Sequence, residues 1–108
     1  MQVFDKKKIL EIGKKTIIAE SETISGLVNC LDDNFFEVVC SIFESKGRVI
    51  VTGIGKSANI GAKIVASFNS TGTPAIFMHA ADAIHGDLGI VQKDDIVICI
   101  SKSGNTPE

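Results

Sequence analysis

The sequence predicts an α/β fold in which a parallel sheet is sandwiched between layers of helices, and three observations carry that prediction. Three short apolar runs, at 48–52, 75–78 and 96–100, are separated by segments with helical periodicity. That alternation gives parallel strands joined by crossover helices. The third run, Ile96-Val-Ile-Cys-Ile100, is wholly apolar and rich in β-branched types, the mark of a strand buried on both faces. The first and third runs open directly into glycine- and hydroxyl-rich loops at 53–57 and 101–106. Such loops at strand ends let a ligand approach the backbone.

Taken in order, the chain begins with helices. Val3, Leu10, Ile17, Ile24 and Leu31 recur at a constant interval, with Leu27 and Val28 thickening the stripe. The spacing predicts one helix over 5–31, with a possible break near Ser21, and an apolar ridge suited to packing against another subunit or against an intrachain core. A second helix is expected from Asn34, where Asn34 and Glu37 fit a capping box and Gly47 follows as C-cap. Its face is Phe36, Val39, Cys40 and Phe43. From 47 onward the order is β-α-β-α-β, with Ile60, Ile64, Val65 and Phe68 on the inner face of the first crossover helix. Residues 71–74 form a turn, 82–91 a short helix and glycine-rich loop, and 92–94 a turn into the third strand. Helices thus occupy 1–46 and the sheet 47–108, all within one domain. Three strands are few for an open sheet of this kind, and Pro107 and Glu108 open a helix without a body. The chain is therefore expected to be the N-terminal part of a longer domain.

Composition narrows the function. Of 108 residues, 44% are hydrophobic and 22% charged, with a net charge of −2, which encodes no general attraction to nucleic acid or to a membrane surface. No apolar run is long enough to span a bilayer, and the polar N-terminus does not resemble a secretory signal. Cys30, Cys40 and Cys99 lack metal-like spacing and sit in apolar patterns. They are expected to be reduced core thiols of a cytoplasmic protein.

Residues Ser101, Ser103, Gly104 and Thr106 point to an anion site. Hydroxyl donors, free backbone N–H groups and a helix start converge there, although an ordinary strand-to-helix turn uses similar residues. Gly53-x-Gly-x-x-Ala58 loosely matches a dinucleotide fingerprint, but the second strand runs into His79-Ala80-Ala81 where an acidic residue is required. Gly55-Lys56-Ser57 imitates the end of a P-loop, yet Ile50 stands where its first glycine belongs. Both nucleotide readings are disfavoured. His85 and Asp87 could begin a metal site but lack a third ligand, and no metal is expected. His79, at a strand end, reads as structural. Glu108 alone reads as a first-turn carboxylate complementing a helix dipole.

Four segments together carry a resemblance: Gly53-Ile-Gly-Lys-Ser57 with Ile60-Gly61, Ser70-Thr-Gly-Thr-Pro74, Ala83-Ile-His-Gly-Asp-Leu-Gly89, and Ser101-Lys-Ser-Gly104 with Glu108. The chain resembles the arabinose 5-phosphate isomerase family, aldose–ketose isomerases built on a sugar isomerase (SIS) domain, closely over 47–108 and loosely before. The resemblance implies a doubly wound, flavodoxin-like three-layer αβα sandwich preceded by helices. It implies Lys56, His85 and Glu108 at catalytic positions and Ser57, Ser101, Ser103 and Thr106 on the substrate phosphate. Gly53, Gly55 and Gly104 then allow close backbone approach. It further implies interconversion of D-ribulose 5-phosphate and D-arabinose 5-phosphate, in the supply of a lipopolysaccharide sugar, without a cofactor. The assembly it implies is a homotetramer. The family's later carboxylate and histidine lie beyond residue 108.

The chemistry such a site requires is a base beside the carbonyl, a proton shuttle between oxygens, and positive charge near the enediolate. Glu108 or a later carboxylate could be the base, with His85 as acid/base partner and Lys56 stabilising the oxyanion. Two alternatives remain: a non-catalytic SIS module that senses a sugar phosphate, and an SIS isomerase acting on another sugar phosphate.

Overall fold

The structure, a computed structural model, describes residues 2–105 apart from the side chain of Asp87. It divides the chain into two compact units, residues 1–39 and 40–108.

In the first unit, Asp5 caps helix α1 (Lys6–Gly26) by accepting the Lys8 N–H at 3.1 Å. The helix runs through Ser21 without a break. It ends at Gly26, a poor helix former, and tightens into a 3-10 turn over Leu27–Cys30. The ridge residues Leu10, Ile17, Ile24 and Leu31 are 52–67% exposed. Helix α2 (Asp33–Glu44), whose residues from Cys40 onward belong to the second unit, starts one residue before the expected Asn34. Its cap is Asp32, whose carboxylate accepts the Phe35 N–H at 3.1 Å, so the Asn34–Glu37 capping box is not the device used.

The second unit holds a parallel sheet of three strands in the order β2-β1-β3. Strand β1 (Val49–Gly53) lies in the centre, with β2 (Ala75–His79) and β3 (Ile96–Cys99) at its sides. Register sets the faces: Val49 pairs with Ala75 and Ile96, and Ile50 with Ile76 and Val97. Val49, Val51 and Ala75 form the core cluster, against which Ile42, Ile64, Val65, Phe68, Ile98 and Ile100 pack. Three of these, Ile64, Val65 and Phe68, come from helix α3 (Lys56–Ser70). Gly61 brings that helix close, since a Cβ there would meet the Phe77 ring at 3.0 Å and Val51 Cγ1 at 3.2 Å. At the far end of α3, the Asn69 amide donates to the Ala75 carbonyl at 3.0 Å and accepts its N–H at 2.8 Å. One side chain thereby pairs the start of an edge strand. After β2 come the short helix α4 (Ala80–Ile84) and a 3-10 turn, Asp87–Ile90.

The α/β class and parallel sheet match the sequence expectation, but β3 does not have both faces buried. Bonded to β1 alone, it alternates, with Ile96 and Ile98 half-buried and Val97 and Cys99 exposed. The strand buried throughout is β1. Two cysteines expected in the core, Cys30 and Cys99, are exposed, and Cys40 is half-buried. No described helix is long and apolar enough to cross a membrane.

The amino ends of β1 and β3 are held by one ion pair. Asp95, with its side chain 2% exposed, accepts the Arg48 N–H, the Gln92 N–H and the guanidinium, each at 2.8 Å. The guanidinium also donates to the Ile90 carbonyl at 2.8 Å. Beside this clasp Gly47 lies against the Asp94 carbonyl, so close that a Cβ would overlap it. That contact, not the expected helix cap, is its role. The guanidinium and the two N–H groups hold the Asp95 carboxyl well below the usual carboxylate range. A carboxyl whose pKa is lower folded than unfolded adds stability above its unfolded value, about 3.9, and loses it on acidification through the folded value. Asp95→Asn should therefore lower the thermal midpoint at pH 7. The gap to the wild type should narrow as the pH falls below about 4, a trend that melting curves across pH would check.

Candidate functional site

The carboxyl ends of the strands face a cavity of about 640 Å³. Its position follows from strand order. The chain leaves β1 towards β2 on one side and returns as β3 on the other, so the crevice opens where the connections diverge, the usual place for a ligand in such sheets.

Gly53 closes β1, and a Cβ there would stand 3.1–3.2 Å from Ser57. Its absence lets the first turn of α3 close down on the strand end. Gly55, with φ of 60° and ψ of −129°, adopts a conformation reserved for glycine and occupies the N-cap position with no side-chain cap. Its carbonyl takes the N–H groups of Ala58 at 3.1 Å and Asn59 at 3.4 Å, while those of Lys56 and Ser57 precede the first intrahelical bond. Ser57 lines the cavity, whereas Lys56 is exposed and outside the lining.

The loop after β3 also lines the cavity, through Ser101, Lys102, Ser103 and Gly104. It folds on its own hydroxyls. Ser101 Oγ accepts the Gly104 N–H at 2.9 Å and Ser103 Oγ accepts the Asn105 N–H at 3.1 Å. Gly104 takes φ of 76°, so both hydroxyl turns fit into so short a loop. Lys102 brings a cation to this lining, a contribution the sequence pattern did not single out because the position varies within the motif.

The floor is mostly apolar, with Met78, Val97, Cys99 and Leu88 among its residues, and one group there is out of character. Thr52 is 8% exposed, and its hydroxyl, itself buried, has no hydrogen-bond partner among the described residues. An unpaired buried hydroxyl costs about 1–3 kcal/mol. A single threonine in an apolar strand carries no sequence signal of this; only the register exposes it.

Ala80 and Ala83 of α4 add to the wall. His85 ends that helix, donating its N–H to the Asp82 carbonyl at 3.1 Å. Its side chain is exposed, neither in the core nor among the cavity-lining residues. His79 is structural in the way the sequence suggests. Its Nδ1 accepts the Ala81 N–H at 3.2 Å and so caps α4. Of the expected site residues, the cavity brings together Ser57, Ser101, Ser103, Gly53 and Gly104. Thr106 and Glu108, and the side chain of Asp87, lie outside the described residues.

Comparison with known proteins gives this arrangement a context. The SIS domain profile matches residues 41–108. Arabinose 5-phosphate isomerase GutQ of Salmonella typhi is 45% identical over 100 residues, which are 93% of this chain and 31% of that protein. Arabinose 5-phosphate isomerase KdsD of Francisella tularensis is 48% identical over 98 residues, or 87% of this chain and 30% of that one. A solved protein of Escherichia coli CFT073, in complex with arabinose 5-phosphate, matches with a TM-score of 0.88 at 36% identity, covering 95% of this chain and 55% of its own. A Listeria monocytogenes protein, provisionally named a sugar-phosphate isomerase, matches at 0.90 and 40% identity, covering 97% and 56%. The chain thus spans under a third of these curated relatives and just over half of the solved ones. With the profile covering the whole sheet-bearing unit, the chain belongs to the SIS domain family.

Proposed function

We propose that this chain provides the substrate-binding half of an aldose–ketose isomerase acting on D-arabinose 5-phosphate and D-ribulose 5-phosphate. The observation that carries the reading is the cavity at the strand ends, which the hydroxyl loop and Ser57 both line. A phosphate bound there receives hydroxyl donors, the N–H groups of Lys56 and Ser57 that precede the first intrahelical bond of α3, and the charge of Lys102. The loop N–H groups now engaged by Ser101 and Ser103 are of the same kind. The names of the relatives supply the sugar.

Held by its phosphate, the sugar extends across the apolar floor, and binding energy orients its carbons. A base takes the proton from C2 of the aldose, and the electron pair forms an enediolate. A proton returned to C1, with another moved between the two oxygens, completes the ketose. No electron leaves the substrate, so no redox partner is consumed. We assign the oxyanion to Lys56, the proton shuttle to His85 and the base to Glu108 or a carboxylate beyond it. Lys56 is the immediate neighbour of Ser57, and His85 follows the helix whose Ala80 and Ala83 line the cavity.

One observation favours a second reading, a module that senses a sugar phosphate without converting it: neither Lys56 nor His85 lines the cavity. Kinetics on the full-length protein separate the two. Ser101→Ala with Ser103→Ala should raise KM by about 10- to 100-fold, and an unchanged KM would remove the loop from phosphate binding. His85→Asn should lower kcat by about 10²–10⁴-fold with phosphate affinity retained. Normal turnover in that variant, or none in the wild type, would favour the sensor.

We also propose that the protein self-associates through α1, whose apolar ridge is exposed along its length. Sedimentation should show an oligomer that dissociates when Ile17 and Ile24 are replaced by lysine. A wild-type monomer at high concentration would refute the assignment.

A further inference from the structure

Thr52 lines the cavity, and its hydroxyl is buried with no hydrogen-bond partner among the described residues. We propose that Thr52 is a specificity residue, whose hydroxyl bonds a hydroxyl of the sugar chain once the phosphate is seated on the 101–105 loop. The inference rests on the sugar-phosphate reading above and concerns the opposite end of the ligand.

Three observations carry it. Thr52 lines the cavity while being 8% exposed, and its hydroxyl has no partner among the described residues. Native proteins pair nearly all such groups, so an exception calls for a ligand or an ordered water. Secondly, the register fixes its distance from the phosphate wall. Thr52 pairs with Cys99 and its carbonyl accepts the Ile100 N–H at 2.9 Å. Ser101 lies two residues beyond Cys99, about 7 Å along a strand, a separation that a short sugar chain bridges. Thirdly, its neighbours on that face are Met78 and Cys99, which offer a sugar hydroxyl no comparable partner. A hydroxyl supplies one donor and two acceptor sites, so it suits a polyol. The hydroxyl itself is buried, and a turn about χ1 that carries Oγ1 towards the cavity which Thr52 lines would present it to the ligand.

The test uses the full-length protein with Thr52→Val, which keeps the shape and removes the hydroxyl, and Thr52→Ser, which keeps the hydroxyl. Calorimetry with D-arabinose 5-phosphate and, separately, inorganic phosphate reads the two ends of the site. Thr52→Val should weaken the sugar phosphate about tenfold, leave inorganic phosphate unchanged and leave the thermal midpoint unchanged or higher. Thr52→Ser should bind like the wild type. Access to the Cys99 thiol, read by alkylation and peptide mapping, gives a second measure, with the sugar phosphate protecting it in the wild type and the serine variant. Equal affinity of the valine variant for the sugar phosphate would overturn the role of Thr52 alone. Equal loss for both ligands, or a lowered midpoint, would overturn it in favour of a structural hydroxyl. A wild type that binds inorganic phosphate but not the sugar phosphate would overturn this proposal and the isomerase reading together.

Discussion

Burial of β1 on both faces is the constraint on which the second unit depends. Val49, Ile50 and Val51 are at most 1% exposed, and each is paired in register with β2, on one side, and β3, on the other. Burying such aliphatic side chains contributes about 1.5–3 kcal/mol apiece, concentrated in one short strand. A strand so enclosed cannot slip, because a shift by one residue would exchange the faces of every side chain. It therefore fixes where Thr52 and Gly53 emerge at the carboxyl end and where Arg48 meets Asp95 at the other.

The two ends of the sheet have different tasks. At the amino end the Arg48–Asp95 pair ties β1, β3 and the Ile90 carbonyl together with charge-assisted bonds. Gly47 lets the backbone of the β3 approach come into contact. At the carboxyl end, Ser57, Ser101, Lys102 and Ser103 line a cavity, with Ser101 and Ser103 also accepting N–H groups of their own loop. Leu88 connects the ends: it lines the cavity, and it lies in the 3-10 turn whose last carbonyl Arg48 holds. Rigidity at one end supports a preorganised site at the other.

Much of this was legible in the sequence because it is local. The β-α-β-α-β order announces itself over a few residues and is the order observed, and of the glycines and serines singled out by motif Gly53, Ser57, Ser101, Ser103 and Gly104 line the cavity while Gly55 does not. What was not legible depends on distant partners. Asp95 gives no sign that it binds Arg48, because the pair spans 47 positions. The apolar run at 96–100 looked like a central strand, since hydropathy does not reveal how many neighbours a strand has. Cys99 looked like a core thiol for the same reason. Asp32 rather than Asn34 caps α2 because two adjacent aspartates and an asparagine compete for one helix start. His85 and Lys56 were matched to their positions by motif, and a motif carries no side-chain direction.

We propose that the cavity serves a proton-transfer isomerisation of a five-carbon sugar phosphate. Proton NMR of the full-length protein with D-arabinose 5-phosphate in heavy water tests it directly. Conversion to D-ribulose 5-phosphate without added cofactor is expected, with solvent deuterium entering a fraction of the product at the carbon that receives the proton. Saturable binding of the sugar phosphate with neither conversion nor exchange would contradict it.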